Sequence, residues 1–135
     1  MPRALMAALC DDVRQELKGK VSLMGIFSRF LVTDFSQPMP PFRIFAKLGF
    51  EGEGDHQIVV ELRSAEGQRI FQIRGVAHVE TRDQVTNLYT ADINLGMDSL
   101  KLPRPGGYEF AFLSDSQTFH VLPFEAEVLR PPLVQ

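Results

Sequence analysis

The sequence predicts an all-β chain, a single-domain antiparallel β-sandwich of about eight strands spanning residues 1–135. Three observations carry this. Apolar residues alternate at Phe42, Ile44, Ala46, Leu48 and Phe50, and again at Ile58, Val60 and Leu62 after His56. That is the pattern of half-buried strands, whose side chains point to opposite faces in turn. The apolar sets also agree across three turns. Folding about Glu51-Gly52-Glu53-Gly54-Asp55 sets Leu48 opposite Ile58 and Ala46 opposite Val60. The Ala65-Glu66-Gly67-Gln68 turn sets Leu62 against Phe71 and Val60 against Ile73, and Ser114-Asp115-Ser116-Gln117 sets Phe112 opposite Phe119 and Phe110 opposite Val121. Finally, turn-bounded strands continue to the C-terminus at sandwich-like spacing.

Taken in order, residues 1–20 carry two readings. Leu5, Leu9, Val13 and Leu17 recur at helical spacing, with Gly19 as a left-handed cap. Equally, Ala4–Cys10 reads as a buried central strand, Asp11–Lys20 as a connection and Val21–Phe27 as the return strand. The Gln37-Pro38-Met39-Pro40-Pro41 loop then feeds the Phe42 strand. Phe71–Val79 follows the second turn, and Tyr89, Ala91, Ile93 and Leu95 share one face of the next strand. Leu102-Pro103-Arg104-Pro105-Gly106-Gly107 is a turn, because proline lacks the ladder donor and glycine permits positive φ. It launches Tyr108–Phe112 and then Phe119–Val128. In the last strand the apolar phase slips from Phe119 and Val121 to Phe124, Ala126 and Val128, which places a bulge or an edge at Pro123.

A chain of 135 residues with 44% hydrophobic composition can bury one ordinary core without staples. Its single cysteine forbids an internal disulfide and suits a reducing, cytoplasmic setting. The apolar run Ala4–Cys10 is too short for a signal peptide and meets Asp11-Asp12, and no stretch is long enough to span a membrane. With 14 basic and 17 acidic residues, and the basic ones scattered, nucleic acid is not an expected partner.

The run Ala8–Phe27, with Leu9-Cys10-Asp11-Asp12-Val13-Arg14 and then Gly19-Lys20-Val21-Ser22-Leu23-Met24-Gly25, resembles the opening of a family of small bacterial all-β proteins of unknown function. The late Pro105-Gly106-Gly107-Tyr108-Glu109-Phe110 resembles the entry to that family's penultimate strand. The resemblance implies an all-β sandwich, which favours strands at the N-terminus. It implies no activity and assigns no residue a role.

No candidate chemistry outweighs an ordinary structural reading. Asp11 and Asp12, with Glu16, offer oxygen ligands for a hard cation but lack the spaced acids of a calcium loop. His56, His78 and His120 lie far apart, without the short-spaced pair of a zinc site, and His78 falls on a polar face with Gln72, Arg74 and Glu80. Cys10 precedes two carboxylates, which raise a thiol pKa, so it reads as a small buried hydrophobe. There is no Gly-x-Ser-x-Gly elbow, and the glycines of residues 51–55 are interleaved with carboxylates that repel phosphate. The expectation is a protein that is not an enzyme, with no catalytic residue, cofactor or metal.

On the outward face of the central hairpins, Arg43, Phe45 and Lys47, then Gln57, Val59, Glu61 and Arg63, then Gln72, Arg74, Val76 and His78 are expected to lie together. This mixture suits contact with another protein better than single-stranded nucleic acid. The expected interaction surface is Arg43, Phe45, Lys47, Val59, Arg63, Arg74 and Val76, used for self-association or a protein partner. The rival readings are a sandwich that binds carbohydrate or a metal-dependent ligand through its end loops, and a hydrolase.

Overall fold

Strands β1 (Arg3–Gln15) and β2 (Val21–Phe27) open the chain in the computed structural model, which describes residues 1–129. They are joined by a single 3-10 turn at Leu17–Gly19, where Lys18 and Gly19 take positive φ of 62° and 75°. Seven strands follow: β3 (Arg29–Val32), β4 (Phe42–Phe50), β5 (Gly54–Ser64), β6 (Arg69–Val79), β7 (Tyr89–Met97), β8 (Gly106–Ser114) and β9 (Gln117–Val128). A four-stranded sheet has the order β2-β1-β4-β7, and a five-stranded sheet the order β3-β9-β8-β5-β6. The chain is all-β, and among the described residues no helix is long and apolar enough to cross a membrane.

One hydrophobic core draws on both sheets. Leu9, Ile44, Ala46 and Leu48 come from the first, and Ile58, Val60, Leu62, Phe110, Phe112, Phe124 and Ala126 from the second, all at most 4% exposed. On the side where the chain crosses from β2 to β3, Phe30 meets Phe27, Phe42 and Phe124 edge-on at centroid distances of 4.7, 5.0 and 5.4 Å. Such edge-to-face contacts set the positive rim of one ring against the negative face of the next.

The strand reading of the N-terminus holds, with β1 longer than expected. It pairs with β4 through Cys10 and continues beside β2 alone to Gln15. The turns after β5 and β8 are hairpins as expected, and Leu62 faces Phe71 and Val60 faces Ile73. At the β8–β9 turn Asp115 and Ser116 both take positive φ, the geometry whose twist matches that of the flanking strands.

Four expectations need correction. Phe42–Leu62 is not a hairpin, because β4 pairs with β1 and β7 whereas β5 pairs with β6 and β8. Strands that face one another across a core show the same alternation as strands lying side by side, so parity could not separate the two. The apolar sets of both strands are nonetheless buried together. In the last hairpin Phe112 faces His120, and Phe110 faces Leu122, because Phe119 is passed over between Leu113↔Thr118 and Phe112↔His120. The phase slip therefore sits at Phe119, four residues before Pro123. Pro123 lies where β9 is flanked by β8 alone, since β3 joins only from Glu125. Lastly, β3 is an additional short strand and pairs with β9 in parallel, so the sheets are not wholly antiparallel.

Candidate interaction surfaces

The expected surface does not exist as one patch. Arg43, Phe45 and Lys47 lie on β4 in the four-stranded sheet, whereas Val59, Arg63, Arg74 and Val76 lie on β5 and β6 in the other. Facing away from a shared core, the two groups point in opposite directions.

Phe45 is only 2% exposed. Its strand is interior to the sheet, so Ala8 and Asn94 flank it from β1 and β7 while Arg43 and Lys47 precede and follow it on the same face. Arg43 donates to Asn94 at 3.2 Å and lies against Gly96, and Lys47 pairs with Asp92 at 3.1 Å. Ala8 and Cys10 are buried beside it, and Met6, Met24 and Ile26 stay 42%, 43% and 62% exposed on the same face.

The opposite face is polar. Glu61, 8% exposed, sits between Arg63 at 2.8 Å and Arg69 at 3.4 Å. Arg63 also donates to Thr118 at 3.2 Å, so its guanidinium is already engaged. This is the arrangement a poorly solvated carboxylate needs, because an unpaired buried charge is costly. At the margin, on β6, Arg74 and Val76 are exposed, and Arg74 has no ion-pair partner among the described residues.

The chemical candidates remain dispersed. Cys10 is fully buried, and burial followed by the charges of Asp11 and Asp12 pushes its thiol pKa up, away from nucleophilic use. Asp11 and Asp12 alternate across β1: Asp11 lies over Gly25, where a Cβ would collide with it, and Asp12 is 3.6 Å from Arg14. His56 stacks on Phe50 with ring centroids 4.3 Å apart. His78 bonds to Glu80 at 2.7 Å and to Asp55 on the neighbouring strand, and these bonds hold its pKa above the ordinary 6.5. Among the described residues no group of three His, Cys, Asp or Glu side chains is placed to hold a metal ion.

A groove of about 420 Å3 opens between β6 and β7, the free edges of the two sheets. Its walls are core-facing side chains: Ile58, Val60, Ile73 and Ala77 from the five-stranded sheet, and Ala91, Ile93 and Leu95 from the other. The opening follows from side-chain size. Gly75, Ala77 and Ala91 occupy core-facing positions, and a Cβ built on Gly75 would meet nothing within 4 Å. Sequence reasoning named Arg74 and Val76 on this rim but missed the groove. The signal available to it was that run of small residues inside otherwise bulky apolar strands.

Among curated proteins none matches the chain. Over residues 5–127 it matches a family of unknown function, DUF6941, and the chain belongs to that family.

Proposed function

We propose that this chain is a β-sandwich that binds protein without catalysing a reaction, through its open side between β6 and β7. The observation that carries the reading is the groove itself, in which core-type aliphatic side chains are left between β6 and the Ala91–Leu95 stretch of β7, neither of which has a further strand beside it. Contiguous exposed apolar surface marks interaction sites, and a free strand edge is a template for pairing with another chain. An extended segment placed there satisfies both needs, with alternate side chains entering the groove and its backbone completing a ladder. The paired ions of the five-stranded face offer no comparable gain, since Glu61, Arg63 and Arg69 already satisfy one another.

A thiol introduced on the groove wall tests this reading. Ala77→Cys places it there, while Cys10 is buried and does not compete. The expected result is rapid maleimide labelling in dilute purified protein and at least severalfold slower labelling inside the cells that make it. Equal rates in both settings show an unoccupied groove and overturn the proposal.

A further inference from the structure

We infer that the occupant of the open side is a second copy of this chain, its β6 pairing antiparallel with β6 about Gly75 to join the two five-stranded sheets; this rests on the interaction reading above. The backbone is suited to it. β6 pairs with β5 without interruption from Phe71 to Val79, contains no proline there, and has no strand on its other side. Natural sheets protect such edges with prolines, bulges or covering segments.

Side-chain size is self-complementary about Gly75. The antiparallel register sets Ile73 opposite Ala77 of the second copy, and Phe71 opposite Val79. Each larger core-facing residue thus meets a smaller one, and Ile73 of one copy enters the space left over Gly75 and Ala77 of the other. Directly opposed residues in such a pair have Cβ atoms about 4.5–5.5 Å apart, close enough to pack.

Charge is self-complementary too. The first half of β6 is basic, with exposed Arg69 and Arg74, and Arg74 is without an ion pair among the described residues. The second half is acidic, because Asp55 and Glu80, 69% and 77% exposed, flank His78. Antiparallel pairing brings the basic half of each copy against the acidic half of the other. Arg74 falls opposite Val76 and beside the His78–Asp55–Glu80 group, and its stem covers a valine that is otherwise 63% exposed. No two like charges fall directly opposite in this register; the two Arg74 side chains lie diagonally across the axis, about 7–8 Å apart.

Light scattering after size-exclusion chromatography should show a dimer at high micromolar concentration. Gly75→Cys, on the two-fold axis, should form a covalent dimer on mild oxidation. Val76→Cys should not, because its thiols lie beyond the Cα separation of about 7 Å that a disulfide spans. Arg74→Glu should weaken association severalfold, by setting a carboxylate beside the acidic end of the other copy. A monomer at that concentration, or a covalent dimer from Val76→Cys alone, overturns the self-pairing. If the monomer is accompanied by slow labelling of Ala77→Cys in cells, the interaction reading stands with a different protein in the groove; if labelling is also fast, both fail.

Discussion

The two sides of this β-protein close differently, and the difference lies in side-chain size. Where the chain passes from β2 to β3, four phenylalanines, Phe27, Phe30, Phe42 and Phe124, interlock between the sheets. On the other side the corresponding positions hold Gly75, Ala77 and Ala91, and a groove of about 420 Å3 remains. One aromatic ring buries far more area than a methyl group, so the first side seals with the chain's own atoms and the second is left open.

The largest effect comes from breaking the core that both sides share. Val60, 3% exposed, lines the base of the groove, and Val60→Asp buries a carboxylate without a partner. The cost is several kcal/mol, comparable to the whole net stability of a domain, so loss of the native circular-dichroism signal is expected. Phe30→Ala removes the ring at the centre of the sealed side and should cost about 3–5 kcal/mol in urea denaturation. Sealed packing on both sides would make the groove residues equally sensitive. Instead, Gly75→Ala should stabilise the monomer by about 0.4–1 kcal/mol, since its φ is ordinary and its Cβ meets open space. A loss of stability there would mean that the open side is already filled.

The smallest effect concerns charge on the groove rim. Hydrogen bonds that His78 donates to Glu80 and Asp55 raise its pKa in the folded chain. Because the folded value is the higher one, the stabilisation is complete below the unfolded value near 6.5 and is lost as pH rises through the folded value. The urea midpoint of the native chain should therefore fall slightly on going from mildly acidic to mildly alkaline pH. His78→Gln should remove that component, and an unchanged profile would show that the bonds add nothing to stability.

Phe45 shows where reading by alternation stops. Its position on the face of β4 away from the core was legible, yet it is buried, because the strand is interior and neighbours on both sides enclose the ring. Arg63 was likewise correctly placed outward, but its pairing with Glu61 removes it from the expected surface. Arg74 and Val76 remain accessible because β6 is an edge.

Alternation, a period of two within each strand, determined from sequence alone that the chain is all-β and that Ile44, Ala46, Leu48, Ile58, Val60 and Leu62 share one core. The same local chemistry determined two hairpins, because a short turn leaves its flanking strands little choice of neighbour. Only the tertiary structure decided that β4 and β5 belong to different sheets, that Phe119 is passed over in the ladder, and that β6 and β7 are left as edges. Those choices depend on long-range backbone hydrogen bonds and on how side-chain volumes fill the space between sheets, and neither quantity has a period within a single strand.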